Sequence, residues 1–512
     1  NYEWLELTGA WARERHVERR SLATGITAIG SRRGHSSGQY NPFVALVRPE
    51  TTEMQGEVLA VSLVYSGNFV WSDEGLNGMS HTYHRLYQRR LARGTWRDKV
   101  RPILINNWEA TYFDFTEEKL LAIADVAAQC GVELFVLDDG WFGARTSDHA
   151  GLGDWTVNPD RLPNGIDGLA EKIEARGMKF GIWVELEMVN EDSDLYRAHP
   201  DWVLSVPGRR KSLGRSQCVL DFSRQDVVDN IYEQMAAILA SGKVSYVKWD
   251  MNRSITECWS HALPAARQGE VFHRYILGLY DLYERLTTAF PHVLFESCAS
   301  GGNRFDPGML YYAPQAWTSD NSDAVERQKI QYGTSMCYPL SSMGSHVSVV
   351  PNHQVNRVTP LHTRANTAYF GTFGYELDLG KLSAEEIAEV KDEIAFMKEY
   401  REIFQFGTFY RLQSPFEHNV MAWMCVSGDQ KTAIVGWYRT LNRVNDRFAR
   451  VRLAGLLPDT LYEDSRSGAR CYGDELMHYG LITTDGTTGE PHPEDGLTTD
   501  FDSRLYVLNA VE

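Results

Sequence analysis

Short apolar runs alternate with amphipathic helical segments from about residue 100 to residue 405. Apolar runs that end in polar side chains are typical of buried parallel strands, whereas apolar positions three or four apart indicate helices. The predicted strands are 102–108, 134–139, 179–185, 246–250, 293–298, 316–320, 347–351 and 367–373. About eight strand–helix units over roughly 300 residues predict an α/β fold with a (β/α)8 barrel.

The helices between these strands are predicted from the same periodicity. They span residues 117–130, 167–176, 275–290 and 324–332, and a further helix capped by Ser223 leads to Lys243. Ser383 followed by Glu386 forms a capping-box pattern that opens a long helix.

Both ends of the chain have the composition of β-structure. Residues 1–95 are expected to be all-β, with strands at 43–47 and 57–65, which are too few for a complete sandwich. Strands at 420–426, 432–438 and 504–508 predict a small antiparallel sandwich, with a long loop at 483–500. The predicted domains are therefore a partial N-terminal β-sandwich (1–95), the barrel (96–405) and a C-terminal antiparallel β-sandwich (406–512).

Charge and composition exclude several classes of partner. The 512 residues carry a net charge of −17, which argues against nucleic acid. No apolar run approaches the length of a membrane span. Seven scattered cysteines without CxxC spacing favour a reducing compartment, and we expect a cytoplasmic protein. Because the chain begins with Asn1 in strand-like sequence, we expect that its start is not the natural one.

Polar and aromatic residues stand at the ends of the predicted strands. Lys248 and Asp250, two apart on one strand, project to the same face. In a (β/α)8 barrel the strand ends meet at the C-terminal face, where active sites lie. The residues gathered there would be Trp108, Asp138, Asp139, Trp183, Glu185, Lys248, Asp250, Cys298, Trp317 and Asp320.

This set favours glycoside hydrolysis over other barrel chemistries. A metal centre would require histidines at ligand spacing, and His346, His353 and His362 form no HxH or HExxH motif. The glycine-containing loop 300–304 is a weak phosphate signal, and Cys298 has no histidine nearby in the sequence. Paired carboxyl groups with indole walls suit cleavage of a glycosidic bond.

Each position also has a purely structural interpretation. Asp138 and Asp139 could form a turn, Lys248 and Asp250 an internal ion pair, and Cys298 could serve only in packing. Glu185 and Glu296 could merely line the barrel, and sequence reasoning alone does not choose Asp320 over Asp323. A non-catalytic sugar-binding protein and a metal-dependent isomerase therefore remain alternatives at this stage.

Four longer motifs resemble those of a known family. LDDGWFG (137–143), KWDMNR (248–253), ESCASGGNRFD (296–306) and WTSDNSDAVERQKIQYGTS (317–335) resemble the bacterial α-galactosidases of glycoside hydrolase family 36. The resemblance runs from about residue 35 to the C-terminus. It implies a retaining double displacement without metal or organic cofactor, with Asp250 as the nucleophile and Asp320, not Asp323, as the acid/base.

The resemblance also implies a galactose pocket. Asp138 and Asp139 would bind the hydroxyl groups at C4 and C6, and Lys248 and Arg215 would add further bonds. Cys298 and the loop that contains Gly301 would lie near the C2 hydroxyl, although many relatives have an all-glycine loop here. The indole rings that would line the pocket belong to Trp108, Trp183 and Trp317.

The implied substrates are oligosaccharides of the melibiose and raffinose type with terminal α-1,6-linked galactose. Galactosyl transfer and α-N-acetylgalactosaminidase activity are alternatives on the same scaffold. Relatives carry a large N-terminal β-supersandwich, much of which this chain is expected to lack. That domain reaches a neighbouring site in some tetrameric relatives, and homo-oligomeric assembly is expected for this chain.

Overall fold

The structure, a computed structural model, describes residues 3–7, 11–21, 46–47, 71–72, 75–442, 449–483 and 500–511. Ahead of the barrel lie two short strand pairs, β1 with β2 and β3 with β4, and one helix, α1. Their bounds are β1 Glu3–Leu7, β2 Val17–Ser21, β3 Leu46–Val47, β4 Trp71–Ser72 and α1 Gly75–Leu86, which continues as a π-helix over Tyr87–Leu91.

The expectation that residues 1–95 form only β-structure is wrong at α1. Met79, Tyr83 and Tyr87 are spaced four residues apart and are all buried, so they form one apolar helical face. That spacing was present in the sequence as a helical signal. The predicted strand at 57–65 lies outside the described residues, and the strand at 43–47 is described only at β3.

Eight parallel strands close into a barrel in the order β10-β11-β12-β13-β14-β5-β6-β7. The predicted (β/α)8 barrel is therefore confirmed. A hairpin of β8 and β9 stands outside the barrel. The strands of this part are β5 Leu104–Asn106, β6 Leu134–Leu137, β7 Lys179–Val184, β8 Met188–Asn190, β9 Gln217–Val219, β10 Val244–Trp249, β11 Leu294–Ser297, β12 Gln315–Trp317, β13 Met343–Ser348 and β14 Thr372–Glu376.

The helices surround this sheet. They are α2 Trp108–Thr111, α3 Glu117–Cys130, α4 Gly165–Glu174, α5 Asp194–Ala198, α6 Gln225–Leu239, α7 Val271–Ala289, α8 Pro307–Tyr312, α9 Ala324–Thr334, α10 Leu361–Ala368 and α11 Ala384–Phe406. Short 3-10 turns occupy Pro200–Trp202, Ala265–Glu270, Leu340–Ser342 and Leu379–Lys381. The prediction for α3 is confirmed, and the capping box of Ser383 and Glu386 is present at the start of α11.

Three local predictions differ from the structure. Ser223 does not cap α6: its hydroxyl donates to Asp221, and the cap position is Arg224. The seventh strand is β13, which starts earlier because its polar residues bond inside the fold, as Ser345 does to Gln331. The predicted eighth strand at 367–373 instead contains the end of α10, and β14 begins at Thr372. A short buried apolar run has the same pattern in a strand and in a helix.

The C-terminal part is antiparallel, as predicted. Six strands pair in the order β15-β16-β17-β22-β19-β20, and β18 pairs with β21. A separate apolar core between these layers contains Met424, Val435, Leu453 and Leu476. Its elements are β15 Thr408–Gln413, β16 Val420–Val426, β17 Thr432–Arg439, β18 Arg450–Val451, β19 Leu461–Asp464, β20 Arg470–Tyr472, α12 Gly473–His478, β21 Leu481–Ile482 and β22 Asp502–Ala510.

Most of the predicted loop at 483–500 lies outside the described residues. Across the ranges that the structure describes, no helix has the length and apolar composition needed to cross a bilayer.

Candidate active site

The carboxyl ends of the barrel strands surround a cavity of about 810 Å³. The structure brings nine of the predicted site residues into its wall: Trp108, Asp138, Asp139, Trp183, Arg215, Lys248, Asp250, Trp317 and Asp320. Cys298 and Gly301 lie just behind the wall, since Ala299 and Ser300 between them line the cavity. This is the C-terminal mouth at which barrel enzymes carry their active sites.

Asp250 follows β10 directly and is held by donors on every side. Its Oδ1 accepts the backbone N–H of Met251 at 2.8 Å and of Ser300 at 3.1 Å. Its Oδ2 accepts Asn252 Nδ2 at 2.9 Å and Trp183 Nε1 at 3.2 Å. These four bonds fix the orientation of the carboxylate.

The surroundings of Asp250 favour its ionised form. Burial acts to raise its pKa, but the charge of Lys248, a bond from the Cys298 thiol and the charge of Arg215 together lower it below the usual value. Asp250 is therefore an anion at neutral pH, as a nucleophile must be.

Asp320 lies in the loop after β12 and is held by two indoles. Trp317 Nε1 donates to Oδ1 at 3.1 Å, and Trp11 Nε1 donates to Oδ2 at 3.2 Å. Removal from bulk water, and then the negative charge of Asp250, raise the pKa of Asp320 to about 7. Asp320 thus holds a proton over much of the neutral range.

Two aspartates whose pKa values are shifted in opposite directions therefore share one cavity. When the pKa values of two carboxyl groups are pushed apart, one can act as an acid while the other stays a base or nucleophile. Asp323 does not compete for the acid role, because its side chain caps α9 and pairs with Arg357.

Lys248 bridges the polar side of the cavity. Its Nζ lies 3.0 Å from Asp138 Oδ2, which also accepts Asn106 Nδ2 at 2.7 Å. Burial acts to lower the pKa of Lys248, but Asp138 and other carboxylates raise it well above its usual value. The ammonium group is therefore charged, and it lies 5.7 Å from the centre of the Trp317 ring.

Asp139 forms a bidentate pair with a residue that the sequence did not reveal. Arg145 Nε lies 3.0 Å from Oδ1 of Asp139 and Nη2 lies 2.7 Å from Oδ2. The two side chains are 0% and 4% exposed. The fork of the guanidinium group fixes the plane of the carboxylate that faces the cavity.

Glu185 and Arg215 lie close to Asp250 and interact with its charge. Glu185 is fully buried and accepts Gln217 Nε2 at 3.0 Å and Asn252 Nδ2 at 3.2 Å. Burial, and then the charge of Asp250, raise the pKa of Glu185 to about 7. Arg215 reaches the cavity from the segment before β9 and donates to Asp148 at 3.0 Å.

Cys298 and Gly301 support the site from behind. Burial raises the pKa of the Cys298 thiol well above its usual value, so the sulfur keeps its proton and bonds to Asp250. Gly301 has φ +81°, and a Cβ there would lie 2.5 Å from the backbone nitrogen of Asp320. The glycine is needed because the loop that carries Asp320 passes against its backbone.

Sequence reasoning missed several residues of the cavity wall. Glu376 stands at the end of β14 and was missed because that strand was predicted too early. Trp11 comes from the N-terminal segment, which has no place in a barrel pattern. The other additions are Glu109, Tyr112, Gly214, Met251, Asn252, Arg253, Ser254, Asn303, His353 and Gln354.

Glu109 and Glu376 add a second pair of acidic groups to this wall. Ser322 Oγ donates to Glu109 at 2.6 Å, and His346 Nδ1 lies 3.2 Å from Glu376. Burial, and then Glu376, raise the pKa of Glu109 well above its usual value. Burial acts to raise the pKa of Glu376, but its bond to His346 and the charge of Lys248 lower it, so the negative charge of this pair lies on Glu376.

An anionic carboxylate, a protonated carboxyl group and indole walls in one barrel cavity define a glycoside hydrolase site. Three family models match the chain in order along its length. They are the glycosyl hydrolase family 36 N-terminal domain over residues 1–78, Melibiase over 66–407 and the family 36 C-terminal domain over 420–508. The chain belongs to glycoside hydrolase family 36, the α-galactosidase family, and the resemblance carried by the four motifs is confirmed.

Two bacterial α-galactosidases are similar in sequence to this chain over most of its length. The α-galactosidase AgaA of Geobacillus stearothermophilus is 52% identical, over 100% of this chain and 74% of its own. The α-galactosidase Mel36A of Lactobacillus acidophilus is 45% identical over 94% of this chain and 71% of its own.

The crystal structure of AgaA superposes with a TM-score of 0.91 at 51% identity, over 100% of this chain and 75% of that chain. Variants of AgaA have been solved with 1-deoxygalactonojirimycin, with raffinose and with stachyose.

Proposed function

We propose that this protein is a retaining α-galactosidase that removes terminal α-1,6-linked galactose from raffinose-type oligosaccharides. The observation that carries the proposal is the contrast between Asp250, whose pKa is lowered, and Asp320, whose pKa is raised to about 7. The raffinose and stachyose complexes of AgaA variants support the substrate class. The reaction follows in two displacements.

In the first step Asp250 attacks the anomeric carbon from the β face. The bond between this carbon and the leaving oxygen breaks, and Asp320 donates its proton to that oxygen. A β-galactosyl ester of Asp250 forms, and the shortened sugar departs as a neutral alcohol. Four nitrogen donors and the Cys298 thiol hold the Asp250 carboxylate without rotation, which reduces the ordering required in the transition state.

In the second step Asp320, now an anion, removes a proton from water. The water oxygen attacks the anomeric carbon and releases Asp250 as a carboxylate. The product is α-galactose, because two inversions retain the configuration. The raised pKa of Asp320 suits both tasks, since the group must give and take a proton near neutral pH.

The polar side of the cavity would bind the galactose hydroxyl groups. Lys248 with Asp138, and Asp139 with Arg145, present charged groups whose hydrogen bonds are stronger than those of neutral groups. Their mutual pairing keeps them oriented before the sugar arrives. Trp108, Trp183 and Trp317 would contact the apolar faces of the ring, and Cys298 would lie near the C2 hydroxyl.

A cytoplasmic location and homo-oligomeric assembly are further parts of this proposal. The location is supported by seven cysteines that are all free. Assembly is supported only by the family.

Replacement of the nucleophile tests the proposal. Asp250→Ala should lower kcat on raffinose by roughly 10⁴-fold or more, because no covalent intermediate can form. Azide fits the space that is vacated and should restore turnover of an aryl α-galactoside, giving β-galactosyl azide. Asp392→Ala, which removes an exposed carboxylate on α11 outside the cavity wall, is the matched control. Undiminished raffinose hydrolysis by Asp250→Ala would refute the proposed role.

A further inference from the structure

The loop that carries Asp320 is bound by a segment more than 300 positions away in sequence. We call residues 11–15 the N-terminal clamp. Four consecutive loop residues each bond to it. Arg15 Nη2 donates to Thr318 O at 2.8 Å, Ser319 Oγ donates to Glu14, Trp11 Nε1 donates to Asp320 at 3.2 Å, and Asn321 Nδ2 donates to Ala12 O at 3.1 Å.

The barrel has space shaped for this clamp. Arg15 also donates from Nη1 to Gly302 O at 2.9 Å and from Nε to Thr334 at 2.6 Å. A Cβ at Gly302 would lie 2.2 Å from Arg15 Nη2, and one at Gly333 would lie 1.8 Å from Arg15 O. A side chain at Gly333 would therefore displace the clamp, and one at Gly302 would meet both Arg15 and the backbone oxygen of Thr318, which also lies at 2.2 Å.

The backbone of the clamp is itself strained. Ala12 has φ +59° and Arg15 has φ +57°, in the left-handed region that residues other than glycine rarely occupy. Such conformations persist where the surrounding bonds enforce them, and they are common at functional sites. The bonds of Arg15 and Ala12 to the barrel supply that enforcement.

We propose that the N-terminal clamp is a positioning device for the general acid, in which Trp11 orients the Asp320 carboxyl group and Glu14 holds the adjoining Ser319. This inference rests on the proposed role of Asp320. The barrel alone would thus supply the nucleophile and the galactose pocket but would hold its acid loosely.

Trp11 and Glu14 act on Asp320 in opposite directions. The indole N–H of Trp11 bonds to the carboxylate and lowers the pKa of Asp320, whereas the negative charge of Glu14 raises it. The other charged or titratable groups that face Asp320 are Asp250 and Lys248 from β10, Cys298 after β11 and Arg327 of α9. Substitution of one clamp residue leaves all of these in place.

Two conservative substitutions separate positioning from mere support. Trp11→Phe keeps an aromatic ring without the donor, and Glu14→Gln keeps the shape and the acceptor for Ser319 without the charge. The alkaline limb of kcat/KM for an aryl α-galactoside should move to higher pH in Trp11→Phe and to lower pH in Glu14→Gln. Trp11→Phe should also lower kcat on poor leaving groups by about 3- to 10-fold, with activated aryl groups spared.

Matched controls lie outside the clamp. Trp96→Phe removes an indole donor that bonds to His292 O at the amino-terminal end of the barrel. Glu18→Gln removes an exposed carboxylate on β2. Neither control should move the limb, and melting curves should show that all four variants are folded. Trp11 is 55% exposed, so its substitution leaves the core intact.

Asp320→Asn, measured in the same series, distinguishes failure of the proposed function from failure of the positioning role of the clamp. If its alkaline limb persists, Asp320 is not the acid and the proposed function fails. If Asp320→Asn abolishes the limb while Trp11→Phe and Glu14→Gln leave it in place or move it in the same direction, only the positioning role of the clamp is overturned.

Discussion

At the scale of single residues, Asp250 and Asp320 have the same side chain and differ only in their surroundings. Asp250 accepts hydrogen bonds from four nitrogen donors and from the Cys298 thiol, and it faces Lys248 and Arg215, which stabilise its charge. Burial, and then the negative charge of Asp250, raise the pKa of Asp320 to about 7, although two indole N–H groups donate to its carboxyl group. The division of labour between the two groups follows from these contacts.

The pH dependence of kcat/KM should report Asp320. A general acid must be protonated, so kcat/KM on raffinose should fall about tenfold per pH unit above a pKa near 7. Asp320→Asn should remove this limb and lose far more activity on raffinose than on activated aryl galactosides. A wild-type profile that stays level to pH 9 would be incompatible with this assignment.

A control is required because Glu185 also has a pKa of about 7. Glu185→Gln should retain the alkaline limb, since Glu185 accepts hydrogen bonds from Asn252 and Gln217 and does not line the cavity. If Glu185→Gln loses the alkaline limb, the limb reports Glu185 and not Asp320, which would contradict the assignment.

The residues that sequence could predict are those at strand ends. Lys248 and Asp250 follow from the alternation of side chains along β10, and Asp138 and Trp183 from the same rule on neighbouring strands. Arg145 could not be predicted, because it stands in an irregular loop and is identified only by its bond to Asp139. The choice of Asp320 over Asp323 came from family resemblance.

At the scale of elements, the loop after β11 is anchored by a buried ion pair. Arg304, from the ESCASGGNRFD motif, makes two bonds of 2.8 Å to Glu187, which follows β7. Tyr275 OH of α7 donates to the same carboxylate. The pair is 4% and 0% exposed, and it ties the loop that contacts Asp250 to the neighbouring strand end.

Removing one partner of this pair should destabilise the protein. Glu187→Ala leaves Arg304 as an uncompensated buried charge, which costs about 3–5 kcal/mol and should lower the melting temperature. The double variant Glu187→Met with Arg304→Met should recover much of this loss, because neither charge remains buried. Thermal unfolding measures both effects.

The control for that comparison is Arg197→Ala, which breaks an exposed pair with Asp192 and should change the melting temperature little. A double variant less stable than Glu187→Ala would contradict the account of a buried charge.

Helices could be predicted where the periodicity of apolar residues and the capping residues indicated the same boundaries. Helix α3 has Thr116 as its cap and Gly131, with φ +92°, at its end, and both signals stand in the sequence. The start of β14 was missed because Tyr369 and Phe370 form an apolar run that packs at the end of α10. Apolar composition alone does not distinguish a strand from the end of a helix.

At the scale of the whole molecule, the active site draws on distant parts of the chain. The barrel order and its mouth could be predicted from repeated strand–helix units. The contact between Trp11 and Asp320 could not, because it joins residues 309 positions apart without any shared pattern. The C-terminal sheet packs on the barrel through Asn366, whose Nδ2 donates to Ser503 at 2.8 Å.

The most direct test of the central claim is to trap the covalent intermediate. 5-Fluoro-α-galactosyl fluoride has a good leaving group and a ring fluorine that disfavours the cationic transition state of hydrolysis, so the galactosyl enzyme should accumulate. Mass spectrometry of digested protein should then find one fluorogalactosyl group on the peptide that contains Asp250. A label on a different residue, or β-galactose as the first product of raffinose cleavage without any adduct, would contradict the account.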